Sequence, residues 1–178
     1  MMKELLILVD ENDNELGVMD KLTVHQTGAL HRAFSVFIFN SNDELLLQQR
    51  ADEKYHSAGL WSNTCCSHPG SGEKVSDAAS RRLKEEMGIH CEAGFKFSFI
   101  YKMKFDNGLI EHEFDHVFFG RSDELPKPDL REVKDWKYIS LKNLKKEMII
   151  KPGNYSAWLK ICLPKVMEHF IKNSNPKI

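Results

Sequence analysis

Two short patterns place reactive side chains two residues apart. Cys66 and His68 flank Ser67, and Glu111 and Glu113 flank His112. On an extended chain, residues two apart point to the same side, so each pair shares a face. A cysteine beside a His or a metal has a lowered pKa and becomes reactive. Taken alone, a cysteine such as Cys66 is usually a small buried hydrophobe, and its neighbour Cys65, pointing the other way, reads as core. Two carboxylates on one strand face repel each other, so they imply either a cation between them or full solvation. His25 and His31 stand upstream in a polar stretch. Three imidazoles and two carboxylates suit Zn2+, Mn2+ or Mg2+ without selecting one. No local spacing such as HExxH ties them together, and a His read singly is more often structural or exposed.

A third pattern covers 67–89. Glu73 is followed by seven residues and then by Arg81-Arg82-Leu83-Lys84-Glu85-Glu86-Met87-Gly88-Ile89. This resembles the Nudix box, G-x5-E-x7-R-E-U-x-E-E-x-G-U with U aliphatic, a loop–helix–loop whose carboxylates hold Mg2+ against a diphosphate. The spacing is kept throughout, with two departures: Ser67 stands at the first glycine and Arg82 at the glutamate after the arginine. Hard carboxylate oxygens suit Mg2+, which bridges phosphate oxygens. Arg82 shares a helix face with Glu86, four residues on. It removes a carboxylate that the hydrolases need and supplies a guanidinium suited to phosphate. That exchange points to holding a diphosphate without hydrolysing it. The plainer reading, a solvated helix with charge pairs, does not account for the full spacing.

These residues need elements to carry them. The pattern predicts strands over Leu5–Val9, 33–39 and 45–50, the last two joined by the hairpin signal Ser41-Asn42-Asp43, with the turn-rich 10–17 between the first and second. A loop is expected over 52–63. A short strand over 61–68 should carry Cys66 and His68 and break at Pro69-Gly70-Ser71-Gly72. Ser76 fits the N-cap of a helix ending at Met87, with Gly88 as its stop and Ala79, Leu83 and Met87 as its apolar face. Strands over 95–105 and 109–119 flank the turn Asp106-Asn107-Gly108 and carry Glu111 and Glu113. A strand over 136–139, a short helix over 141–147 and a longer helix over 156–172 follow, the last kinked or divided at Pro164. Mixed strands with a few helices predict an α/β sandwich rather than a doubly wound parallel sheet.

Bulk properties narrow the classes. A length of 178 residues, 42% hydrophobic and 29% charged, suits one globular domain. A net charge of −1 gives no reason to expect a nucleic-acid or membrane binder. No apolar run approaches the roughly 20 residues that span a bilayer, and the opening run is too short for a signal peptide. Cys65, Cys66, Cys91 and Cys162 form no CxxC pair, so a reduced, cytoplasmic setting is expected.

Together, Trp61-Ser62-Asn63-Thr64-Cys65-Cys66-Ser67-His68-Pro69, the altered box with Arg82, and Glu111-His112-Glu113 resemble the type I isopentenyl-diphosphate isomerases, a Nudix-fold family. The resemblance covers about 6–158. It implies a single Nudix-type α/β/α sandwich over 1–178, with a core over about 4–165 and a C-terminal helix. It implies that His25, His31, His68, Glu111 and Glu113 ligate one divalent metal. Cys66 and Glu113 would be the two proton-transfer groups on opposite sides of the substrate, with Tyr101 beside the carboxylate and Trp158 facing a carbocation. Lys21, Arg50, Lys54 and Arg82 would surround the diphosphate, and Glu86 would ligate a Mg2+ that arrives with it. The implied partner is a small isoprenoid diphosphate, handled by a monomer or weak dimer. The implied reaction is a 1,3-allylic shift from isopentenyl to dimethylallyl diphosphate. A Nudix hydrolase of an organic or nucleoside diphosphate, and a non-catalytic diphosphate- or metal-binding module, are the alternatives.

Overall fold

From Ala33 onward, the run His31–Phe39 is apolar at nearly every position, which suits a strand covered on both faces. In the structure, a computed structural model that describes residues 4–54 and 56–174, this run is a central strand. The strands in chain order are β1 (Leu5–Val9), β2 (Glu15–Asp20), β3 (His31–Phe39), β4 (Glu44–Arg50), β5 (Trp61–Ser62), β6 (Cys65–Ser67), β7 (Gly94–Lys104), β8 (Ile110–Arg121) and β9 (Val133–Ser140). The helices are α1 (Lys21–Thr27), α2 (Val75–Met87), α3 (Leu141–Ile150) and α4 (Ala157–Ser174). Among the described residues the strands join in one mixed sheet. β3 runs parallel to β8 from His31↔Glu113 to Phe39↔Arg121, β7 and β8 form an antiparallel hairpin, and β4 pairs antiparallel with β9.

Alternation along β3 and β8 divides the core. Phe34, Val36, Ile38 and Phe118 pack under Ala78, Ala79, Leu83 and Met87 of α2. Phe37, Phe39, Val117 and Phe119 pack under Leu144 of α3 and Leu159, Leu163 and Val166 of α4. Helices on both faces of a mixed sheet make the expected α/β/α sandwich. The α4-side face of both strands changes character along its length. It begins polar, with His31 and Ser35 on β3 and Glu111, Glu113 and Asp115 on β8, and ends aromatic. Polar side chains therefore gather where β3 and β8 enter the sheet.

β3 and β4 meet only at Phe39↔Leu45 and then diverge. Thr64 fills the opening. Its hydroxyl donates to Leu46 O at 2.6 Å and accepts from Ile38 N at 2.9 Å. The expected single strand over 61–68 is therefore two short ones. β5 pairs with β4, and β6 pairs with β3 through Ser35↔Cys66 and Val36↔Cys65.

Other elements also depart from the expectation. The turn-rich 10–17 is shorter, because β2 already begins at Glu15. The polar stretch around His25 is α1, capped by the Asp20 side chain on Thr23 N. The N-cap of α2 is Lys74 without a side-chain cap, while Ser76 Oγ donates to Asp77 instead. α4 continues through Pro164 to Ser174 without dividing. Gly88 does stop α2, with φ +67, and a Cβ there would stand 2.6 Å from Lys127 O. Among the described residues no helix is long and apolar enough to cross a membrane.

Candidate active site

Two histidines reach the polar end of the sheet from either side of one turn. α1 closes on Gly28, whose φ is +69 and whose Hα side faces Ile110, so a Cβ there would meet Ile110 Cγ2 at 2.9 Å. This tight closure sets His25 at the end of α1 and His31 at the start of β3, both buried. His25 Nδ1 lies 2.7 Å from Lys21 O, and His31 Nδ1 lies 3.0 Å from Ala29 O. A carbonyl only accepts, so each Nδ1 carries the proton and each Nε2 lone pair turns inward. This is the tautomer a metal ligand needs.

The inward atoms converge. His25 Nε2 is 3.2 Å from Glu111 Oε2, and His31 Nε2 is 4.0 Å from Glu111 Oε2 and 3.8 Å from Glu113 Oε1. His68 Nε2 is 3.3 Å from Glu113 Oε1. Donor atoms of His25, His31 and His68, and likewise of His31, Glu111 and Glu113, lie within 4.8 Å of one another. Glu111 Oε2 and His31 Nε2 are buried and make no hydrogen bond among the described residues. Lone pairs facing carboxylate oxygens in a dry space require a cation or a proton between them. The donor set of three imidazoles and two carboxylates fits a divalent ion.

The carboxylates respond to this crowding in opposite ways. For Glu113, burial opposes ionisation, but the hydrogen bond and charge of His68, the charge of His31 and the Tyr101 hydroxyl outweigh it and bring the group to about 2. Tyr101 Oη donates to Glu113 Oε2 at 2.7 Å. Burial and the Glu113 charge raise Glu111. They also raise Asp115, which accepts from Ser35 Oγ at 2.9 Å. Burial works against charge on His25 too, yet the nearby Glu111 carboxylate leaves it raised, whereas burial and the His68 charge lower His31 to about 4.

Cys66, paired at its Cα with Ser35, opens into the same cleft as Glu113. The nearby His does not lower its pKa as expected. Burial pushes the thiol up to about 12; the Arg50 charge opposes the shift, and the charges of Glu86, Glu113 and Asp115 add to it. Cys65 points the other way and is fully buried in the α2-side core. Trp158, at the start of α4, is pinned through its indole N–H, 2.8 Å from Ser62 Oγ and 3.2 Å from Asn63 Oδ1. Arg50 Cζ sits 5.2 Å from the centroid of its ring.

These groups line a cleft of about 610 Å³. Lys21, Arg50, Lys54, His68, Arg82, Glu86, Tyr101 and Glu111 join Cys66, Glu113 and Trp158 on its wall, while His25 and His31 stand behind it. The basic residues are already engaged. Lys21 binds Glu4 at 2.9 Å, Lys54 binds Glu132, and Arg82 binds Glu85 at 2.9 Å and Glu86 at 2.7 Å. Glu86 also accepts from Gln48 Nε2 at 3.1 Å. Gln48, Glu132 and His56 belong to this wall although no motif marks them. His56 stands in the irregular segment between β4 and β5, where no periodicity signals a role. Of the remaining histidines, His112 faces Gly28 O at 2.9 Å, His116 faces Asp13 at 3.0 Å and His169 stacks on Phe97.

A mixed sheet with α2 on one face, and a carboxylate-rich cleft at its polar end, defines a NUDIX-domain protein: the NUDIX domain family matches residues 29–159. Among curated proteins, the chain is 55% identical to "Isopentenyl-diphosphate Delta-isomerase 1" of Aromatoleum aromaticum over 93% of this chain and 94% of that one. It is 48% identical to the "Isopentenyl-diphosphate Delta-isomerase" of Pectobacterium atrosepticum over 93% and 92%. The chain belongs to the type I isopentenyl-diphosphate isomerases of the Nudix superfamily. Among solved structures, a Deinococcus radiodurans protein superposes with TM-score 0.74 at 19% identity over 91% of this chain and 98% of its own. A MutT protein of Methanosarcina mazei gives 0.66 at 17% over 82% and 96%. At such identities the likeness is one of fold.

Proposed function

We propose that the chain interconverts isopentenyl and dimethylallyl diphosphate by moving protons at Cys66 and Glu113. An unactivated alkene is a weak base, so protonating it demands an acid held close to the alkene carbon and a base placed to take the C2 proton. The observation that carries the reading is geometric: Cys66 and Glu113 line one cleft with Trp158, and Tyr101 Oη donates to Glu113 Oε2 at 2.7 Å, while burial raises the thiol and the groups around Glu113 lower its carboxyl. Environments that push two titratable groups apart set up an acid and a base. The reaction runs both ways, so each group is the acid in one direction and the base in the other. Tyr101 holds Glu113 and can pass a proton to it. Trp158 supplies a π wall, and a cation over an aromatic ring gains about 2 kcal/mol when desolvated. The buried walls keep water from trapping the cation.

A divalent ion in the His25, His31, His68, Glu111 and Glu113 set, of Mg2+, Mn2+ or Zn2+ type, would fix Glu113 and tune its acidity, and a Mg2+ at Glu86 would neutralise diphosphate charge. Lys21, Arg50, Lys54 and Arg82 bind the diphosphate. Arg82 turns from Glu86 to phosphate oxygens as that charge arrives. The whole chain acts as one unit with its core over about 4–165, as a monomer or weak dimer on a small isoprenoid diphosphate. Its cysteines are free, which fits a cytoplasmic setting. The rival is diphosphate hydrolysis, which Arg82 disfavours by occupying a carboxylate position. Phosphorus NMR during incubation with isopentenyl diphosphate separates the two. An intact diphosphate with a changed alkyl group supports the isomerase, and release of phosphate or monophosphate supports the hydrolase.

A further inference from the structure

His56 lies between three parts of the cleft that no strand register joins. Its Nε2 is 3.5 Å from Glu111 Oε1. Its ring stacks on Phe105 of the β7–β8 turn, with centroids 5.0 Å apart and planes at 26°. The same ring stands edge-on to Trp158, 5.7 Å away at 87°. The backbone carbonyl of His56 accepts from Arg50 at 3.3 Å, which ties the loop to β4. The two oxygens of Glu111 are thereby divided. Oε2 faces His25 and His31, and Oε1 faces His56.

We propose that His56 is a positioning residue of this site, holding Glu111 by the oxygen that faces away from the ligand centre and bracing Trp158 with the same ring. The inference rests on the metal reading given above. A carboxylate gripped by one oxygen presents the other in a fixed direction, and such outer partners typically change metal affinity or activity by about 10–100-fold when removed. An imidazole N–H supplies the grip, and a flat ring packed between Phe105 and Trp158 supplies the brace.

Two substitutions separate the functions. His56→Phe keeps a ring and loses the donor. His56→Gln keeps an amide N–H near the Nε2 position and loses the ring. Each purified chain is loaded with Mn2+ and dialysed against a graded series of chelator, with metal content read directly and thermal unfolding checked in parallel. We expect His56→Phe to retain Mn2+ about tenfold or more less tightly than the parent and His56→Gln to stay within about threefold. In turnover assays His56→Gln should lose kcat through the unbraced indole with little change in KM. Equal Mn2+ retention by the two variants, at the parental level or below it, overturns the assignment. Because retention is read without substrate, this outcome is independent of whether isopentenyl diphosphate is isomerised.

Discussion

Cys66 and Glu113 share a cleft, and their surroundings push them in opposite directions. Burial holds the thiol at about 12, and His68, His31 and Tyr101 hold the carboxylate at about 2. A thiol that high is almost entirely protonated at pH 8. Alkylation needs the thiolate, so Cys66 should react with iodoacetamide about 10³-fold more slowly than a free cysteine of pKa about 8.5, speeding up as pH rises toward 12. Peptide mapping of the alkylated chain measures this, and labelling of Cys66 at the rate of a free cysteine would contradict it. For turnover, Cys66→Ala and Glu113→Gln should each lose about 10³-fold or more in kcat while unfolding as the parent does. Near-normal activity in either variant removes that residue from its role. As candidates both residues were legible from their spacing, because on an extended chain a period of two puts Cys66 with His68 and Glu111 with Glu113 on one face; their roles in proton transfer came from the family resemblance. The direction of the Cys66 shift was not legible. It depends first on burial, which only the packed fold supplies, and then on the charges of Arg50, Glu86, Glu113 and Asp115 that the fold brings near.

Elements hold those residues through a few local choices. The closure of α1 at Gly28 orients His25 and His31 together. Gly28→Ala adds a Cβ at φ +69 that also meets Ile110. The cost should be about 2 kcal/mol in urea unfolding, with weaker metal retention as the two histidines separate. Thr64 bridges Ile38 N and Leu46 O where β3 and β4 part. Thr64→Val leaves both backbone groups unsatisfied and should destabilise the fold by about 2 kcal/mol, again measured in urea. Unchanged stability in either variant would contradict the account. The long strands, the Asn107-Gly108 turn and the apolar face of α2 were readable because their periods are strong. The split of 61–68 into β5 and β6 was not. That segment reads as one extended run until β4 and β9 pair and leave the wedge for Thr64. α1 also escaped notice, since its seven residues are too few to show a helical period.

At the scale of the whole molecule, the sheet gathers carboxylates and imidazoles that a divalent cation would reconcile. Glu111, Glu113 and Asp115 face inward from one strand, and three imidazoles face them. Removing divalent metal should therefore abolish turnover, and adding it back should raise the unfolding temperature. An ion at 100 times its Kd adds about 2.7 kcal/mol to stability. An unfolding temperature indifferent to the ion would count against the site. The fold class could be read from the order of strands and helices. The joining of residues 25, 56, 111 and 158 in one place could not, because their separation along the chain carries no periodic signal. The central claim is proton exchange at Cys66 and Glu113 on an alkene whose diphosphate stays intact. The most direct measurement is incubation of the metal-loaded chain with isopentenyl diphosphate in D2O, followed by proton and deuterium NMR. The account predicts dimethylallyl diphosphate carrying deuterium from solvent. Recovery of unlabelled isopentenyl diphosphate, or a product without solvent deuterium, would contradict it.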